Sequence, residues 1–344
     1  MNFFLDSFVF FIIIIIITSI FFGHFISKKI KLFDLPRQRK IHKHPVPISG
    51  GISFMISFNI IFVALLLKYT EYTYFLLTIL TSINIIFIMG ILDDFINLNY
   101  KIRVFVSIIV YLFFLSTPTV NSIYTIQNFL IDSIYLENFE IIIQLNYFHA
   151  IMFSIFCLLF FQFSTNMIDG INGLCLIHLL FINILLNTFQ LEIFVINQIN
   201  TFLILFILLY LILNIQGKSF LGDAGVYSLS FLTSIIILAH YKSLNIDFLD
   251  IIIFSLFPSL DLLRLFVRRL IAKKSPFLPD KNHLHHRVLY KIGYYKSLSI
   301  FIFIFGVSCV YIFLNLEFKL LFILAISIIY FIIIYFTKSN LKLN

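Results

Sequence analysis

Charge is scarce in this sequence. Only 12% of its 344 residues are Asp, Glu, Lys or Arg, against 61% hydrophobic. Soluble domains carry roughly 25% charged residues. The shortage excludes a polar surface large enough to cover the chain, and a mean hydropathy of +1.06 points to lipid as the main solvent. Cysteine is nearly absent as well. Cys157, Cys175 and Cys309 lie far apart, in or beside apolar runs and with no CxxC spacing, which leaves them as small core residues. The first apolar run, Phe8–Ile20, has no basic residue ahead of it and no small-residue cleavage site. On those two absences the run is expected to be a first helix rather than a signal peptide.

What is present is a series of apolar stretches. A spanning helix needs about 20 apolar residues. Charge-free stretches of that order cover 7–27, 45–67, 72–92, 104–131, 141–168, 170–191, 193–217, 224–241, 297–316 and 320–337, and one near 248–264 is interrupted by Asp250, Pro258 and Asp261. The expectation is an all-α polytopic membrane protein of about eleven transmembrane helices, forming one integral-membrane domain over 1–344. The segment 118–147, with Pro118, Asp132, Glu137 and Glu140, is too polar to span and reads as one external loop.

Lys and Arg set the orientation. The connections 27–49, 93–103, 166–173, 215–224, 264–297 and the tail from Lys338 hold 21 of the 24 basic residues, and only Lys68, Lys242 and Lys319 fall on the other side. By the positive-inside rule the first set is cytoplasmic, with the N-terminus outside and the C-terminus inside. Topology and attraction to anionic lipid account for the net charge of +8, so no nucleic-acid partner is needed.

The cytoplasmic side also collects acids. GILDDFINLNYK, residues 90–101, ends an apolar run on Asp93 and Asp94, and Asp34, Asp169, Asp223, Asp261 and Asp280 reach the same face from other connections. Adjacent carboxylates there can be a solvated cap, ligands for Mg²⁺, which is held by one or two carboxylates plus substrate phosphates, or a general base. FDLPRQRKIHKHPVPISGG, residues 33–51, places Lys40 and His42 in a basic loop shaped by prolines and Gly50–Gly51, suited to phosphates. NMIDGINGL, residues 166–174, and FLGDAG, residues 220–225, are Gly-flanked polar turns between apolar runs, equally consistent with plain turns or caps. PFLPDKNHLHHRVL, residues 276–289, carries His283, His285 and His286 with no cysteine nearby. A zinc site is disfavoured, and a His cluster beside Arg and Lys suits a diphosphate, with one His able to move a proton. Together the motifs suit phosphoryl transfer, in which catalysis is mainly positioning and charge neutralisation. Their place at the lipid boundary suits one soluble and one lipid substrate.

Read in order, these motifs closely resemble the polyprenyl-phosphate N-acetylhexosamine-1-phosphate transferase family. The resemblance rests on Asp34-x-Pro36, Arg39-Lys40-x-His42-x-x-Pro45-x-Pro47-x-x-Gly50-Gly51, Asp93-Asp94, Asn166-x-x-Asp169-Gly170-x-Asn172-Gly173, Gly222-Asp223-Ala224-Gly225 and His283-x-His285-His286, and spans about residues 30–290. It implies that a polyprenyl phosphate, undecaprenyl phosphate in bacteria, attacks the β-phosphate of a UDP-N-acetylhexosamine. The products are polyprenyl-diphospho-sugar and UMP, and the reaction requires Mg²⁺, with Mn²⁺ as a substitute. It also implies Asp93, Asp94, Asp169 and His283 as catalytic residues. Substrate contacts fall to Lys40, His42, Asn166, Asn172, His285, His286 and Arg287, and the metal to Asp223 and Asp94. The enzyme would be a multi-pass protein of the inner (plasma) membrane, working at its cytoplasmic face, and a homodimer is compatible with the family.

The peptidoglycan branch, which transfers phospho-MurNAc-pentapeptide, has three consecutive histidines. Here Leu284 interrupts them, as in the branch that starts O-antigen, common-antigen or teichoic-acid chains with GlcNAc-1-phosphate or a related sugar. Where the family usually has a small Ser after Gly225 and a later Gly, this chain has Val226 and Ser230. A transporter, the main rival class, would place ionisable groups near the bilayer midplane, often in an inverted repeat. No repeat is visible, and only Asp250 and Asp261 depart from the one-face pattern.

Overall fold

Long apolar runs without internal breakers favour helices, because in lipid every backbone polar group must be satisfied within the chain. The computed structural model describes residues 2–36, 44–116, 129–136, 141–273 and 282–337. Lys40 and His42 lie outside the described residues. Twelve helices follow in order: α1 (Asn2–Lys29), α2 (Gly50–Lys68), α3 (Thr73–Ile96), α4 (Tyr100–Ser116), α5 (Tyr147–Ile168), α6 (Leu174–Thr188), α7 (Phe194–Ile215), α8 (Gly222–Lys242), α9 (Phe248–Ile271), α10 (Leu284–Ile292), α11 (Tyr294–Phe313) and α12 (Lys319–Phe336). Eight of them, α1, α2, α3, α5, α7, α8, α11 and α12, are long and apolar enough to cross a membrane. One apolar core runs from Ile12 in α1 to Tyr330 in α12.

Helix α8 is the axis of this bundle. It is buried on every side from Ala224 to Tyr241, as expected of a helix surrounded by others. Its small residues let neighbours approach closely. The closest approach is at Gly90 of α3, where a side-chain carbon would collide with the backbone of Ala224. Two buried hydroxyls on α8 bond to the preceding turn, Ser230 Oγ donating to Val226 O and Ser234 Oγ to Phe231 O, each at 2.7 Å. At the periphery α12 turns Leu321, Leu324, Ile328 and Phe331 outward, a surface suited to lipid.

Pro258 does not end α9. Proline removes one backbone donor, so the carbonyl four residues back, Phe254 O, loses its helical partner. The buried His178 of α6 supplies the replacement, its Nε2–H donating to Phe254 O at 2.8 Å. The sequence reading took Pro258 as an interruption; a side chain from another helix bridges it. His178→Leu removes that donor and should destabilise the protein by about 1–3 kcal/mol. A lower thermal midpoint in detergent checks this, with His178→Gln falling between the two.

The segment 118–147 is not all loop. Residues Ser133–Leu136 (β3) and Ile141–Gln144 (β4) pair antiparallel, with Ser133 opposite Gln144. Tyr241 OH at the end of α8 donates to Ser133 O at 2.5 Å, and Lys242 Nζ lies 2.8 Å from Asp132. Strands of four residues without alternation, SIYL and IIIQ, carry no signal that separates them from a loop.

At the opposite end of the bundle, two minimal pairings organise the loops. Phe33–Asp34 (β1) pairs with Val46–Pro47 (β2), and Ile48 bridges Phe220 in parallel. Phe220 N donates to Pro47 O at 3.0 Å and Ser49 N to Phe220 O at 3.1 Å. Ser219 Oγ sits 2.6 Å from Tyr210 OH. The loop before α2 and the loop before α8 are therefore one structure, and they bring Asp34 to Asp223.

Candidate active site

Five parts of the chain meet at this end around a cavity of about 430 Å³. Its lining includes Asp34, Asp94, Asp169, Asn172, Asp223, His286 and Tyr294. The acids predicted from separate parts of the chain thus converge. Among the described residues its lining carries four aspartates and no Lys or Arg.

Asp94, in the last turns of α3, reaches across to the start of α8. Its Oδ1 accepts the Asp223 backbone N–H at 2.8 Å and its Oδ2 the Ala224 N–H at 3.2 Å. Those donors are among the four that any helix leaves unsatisfied at its N-terminus, and a carboxylate there also meets the positive end of the helix dipole. Asp94 therefore holds Asp223 in place while still lining the cavity.

Its neighbour Asp93 lies behind the cavity, against the Asp223 side chain. It is 3% exposed and is not among the cavity-lining residues. Its Oδ2 accepts from Arg103 Nη1 of α4 at 2.9 Å, and its Oδ1 from the Leu98 N–H at 2.8 Å. Arg103 Nη1 also lies 3.4 Å from Tyr227 OH, which accepts from Asn166 Nδ2 at 3.2 Å. Asp93, Arg103, Tyr227 and Asn166 form a polar layer behind the cavity. Sequence reading missed Arg103, which passed for topological charge, and Tyr227, which sits inside an apolar run.

Asp169 follows α5 and is pushed well above the usual carboxylate range, first by burial and then by the negative charge of Asp223. Asn172 O accepts from Tyr294 OH at 3.0 Å. Asn214, also missed, accepts the Gly173 N–H at 2.6 Å and shapes the same turn.

The three histidines form a compact cluster, with His283 and His286 ring centroids 6.4 Å apart. His283 and His285 rings stack with centroids 5.5 Å apart and an 18° interplanar angle, and His285 and His286 are 4.3 Å apart. Among the three only His286 lines the cavity. His285 is buried against Gly170, and its pKa is held well below that of free histidine by burial and by His286 and His283. His283, predicted as catalytic, is instead bound to Asp261, 3.1 Å away. Arg287, predicted to touch substrate, donates to Ile334 O near the end of α12 at 3.1 Å.

The donor set fits Mg²⁺. It is made of hard carboxylate oxygens, and Mg²⁺ is usually completed by water and substrate phosphates rather than by an all-protein cage.

The sequence matches the pattern of glycosyl transferase family 4 over residues 75–241. The undecaprenyl-phosphate alpha-N-acetylglucosaminyl 1-phosphate transferase of Thermotoga maritima is 28% identical over 280 residues, covering 80% of this chain and 79% of the relative. A probable undecaprenyl-phosphate N-acetylglucosaminyl 1-phosphate transferase of Bacillus subtilis is 28% identical over 296 residues, 83% of this chain and 78% of the relative. The Escherichia coli K12 enzyme named as in Thermotoga is 27% identical over 283 residues, 78% and 72% of the two chains. The matched stretch contains Asp94, Asp169 and Asp223, the acids that meet in the cavity, so the likeness to glycosyl transferase family 4 covers the candidate site.

Proposed function

We propose that this protein transfers N-acetylhexosamine 1-phosphate, with GlcNAc-1-phosphate as the first candidate, from a UDP-sugar to polyprenyl phosphate. The observation that carries this reading is the convergence of Asp94, Asp169 and Asp223 in one cavity at the end of an apolar bundle. A phosphate oxygen of the lipid attacks the β-phosphorus of the UDP-sugar. The bond from that phosphorus to the bridging oxygen breaks, and UMP leaves. The names of the similar proteins support undecaprenyl phosphate as acceptor and GlcNAc-1-phosphate as the transferred group.

Asp223 is the principal ligand for Mg²⁺, with Asp94 contributing through its remaining lone pairs. When bound, the ion supplies charge neutralisation on the diphosphate. Asp94 fixes the Asp223 backbone, Asp169 closes the acidic wall, and Asn172 and His286 contact the nucleotide-sugar. Arg103 pairs with Asp93 and ties it to Tyr227 and Asn166, which hold the turn before Asp169. Eleven membrane crossings, with α10 on the inner surface, would put the cavity at the cytoplasmic face of the plasma membrane. The product would be the first lipid-linked sugar of an envelope polysaccharide.

Purified protein, undecaprenyl phosphate and labelled UDP-GlcNAc should give a lipid-linked sugar and UMP with Mg²⁺, and excess EDTA should abolish both products. UDP-MurNAc-pentapeptide should be a poor donor. Failure with every UDP-N-acetylhexosamine would remove the reading.

A further inference from the structure

Asp261 of α9 is not among the cavity-lining residues, yet four donors converge on it. Its Oδ1 accepts from Arg264 Nη2 at 2.7 Å and from Tyr330 OH at 2.9 Å. Its Oδ2 accepts from His283 Nδ1 at 3.1 Å, and the Leu284 N–H lies 3.2 Å from both oxygens. Arg264 Nη2 also donates to Asn282 O at 2.6 Å. Residues 282–284 are thus fastened to α9 through a carbonyl, a ring and an amide. Oxygen and nitrogen atoms of Asp261, His283 and His285 lie within 4.8 Å of one another. However, the carboxylate is already neutralised by Arg264 and occupied by donors, so this triple is better explained as a clamp than as a cation site.

We propose that Asp261 is the positioning residue of the histidine motif, fixing the His283 ring and the start of α10 so that His286 is presented to the diphosphate-binding cavity. Leu284 N–H is one of the unsatisfied first-turn donors of α10. His283, at the N-cap, makes no side-chain cap, and Asp261 supplies the missing acceptor from another helix. A carboxylate on Nδ1–H also sets the His283 tautomer and ring plane, the role such partners play behind functional histidines. His283 then stacks on His285, which packs beside His286. The four contacts come from α9, α10, the segment before it and α12, so the clamp also links the C-terminal helix to the site.

This inference rests on the transferase reading, and its test separates the two. In full-length protein in detergent, Asp261→Asn keeps the side-chain size but removes the charge. It should raise KM for UDP-GlcNAc about tenfold or more, the usual scale for a partner behind a functional side chain, with KM for undecaprenyl phosphate nearly unchanged. In a His283→Gln background the same substitution should add little, and Asp261→Glu should recover part of the native value. An unchanged KM, or an undiminished effect without His283, overturns the proposal. A second arm needs no turnover. Carbethoxylation of His283 by diethyl pyrocarbonate, mapped by mass spectrometry, should be several-fold faster in Asp261→Asn and slowed again in Asp261→Glu. Equal rates in all three proteins overturn the clamp. If the native protein transfers no sugar, the transferase reading fails, while the labelling result still decides the role of Asp261.

Discussion

Asp223→Asn should lower turnover about 10³-fold or more, while the protein still inserts and elutes as the native chain does. A positioned charge on a transferring phosphoryl group is worth about 10³–10⁵ in kcat. The amide is nearly isosteric, and the contact that shapes the start of α8 runs from the Asp223 backbone to Asp94, so removal of one side-chain charge leaves it intact. The loss should appear in kcat at saturating Mg²⁺, and added Mn²⁺ should not restore it. Asp94→Asn disturbs two things at once, because the amide must still accept the N–H groups of Asp223 and Ala224. Its activity and thermal midpoint should therefore fall together, whereas Asp223→Asn separates them.

Gly170→Ala should cost about 10²-fold in kcat/KM. A side-chain carbon at Gly170 would collide with His285 Nε2, lie 2.9 Å from its Cδ2 and 3.1 Å from His286 Cε1. His285 is buried, so the cluster of histidines must shift. A displacement on the order of 1 Å in a positioning group can cost about 10² in rate, whereas overpacking of this kind costs about 1–3 kcal/mol of stability. Gly170→Ala combined with His285→Ala should relieve the collision and recover thermal stability. Steady-state kinetics and thermal melts on the three variants check both statements.

The helices were legible because hydrocarbon leaves the backbone few options, and apolar length alone marks a span. The acidic motifs were legible because each ends an apolar run at the same face. Division of labour within a motif was not. Asp93 and Asp94 are adjacent in the chain, but successive helical residues point about 100° apart, so one meets the cavity and the other meets Arg103. Nothing local to LDDF says which. The three histidines present the same problem. The ring that reaches the cavity is His286, while His283 turns to Asp261, and that depends on how α9 lies against α10. Tyr227 and Asn214 act through partners 40 or more residues away, and Arg103 joins Asp93 to the distant Tyr227; each resembles ordinary sequence of its own helix. Pro258 was visible, but the donor that makes it tolerable, His178, sits on another helix.

The account depends most on the acids of α3, α5 and α8 forming a single divalent-ion site. Mn²⁺ binding in the presence of UDP, followed by electron paramagnetic resonance on full-length protein, tests this directly. The native chain should bind Mn²⁺ with nucleotide, and Asp223→Asn should weaken that binding at least about tenfold, the lower scale for loss of a metal-site partner. Asp132→Asn, at the far end of the bundle beside Lys242, should bind as the native chain does. Native-like binding by Asp223→Asn, or an equal loss in Asp132→Asn, would contradict the site described here.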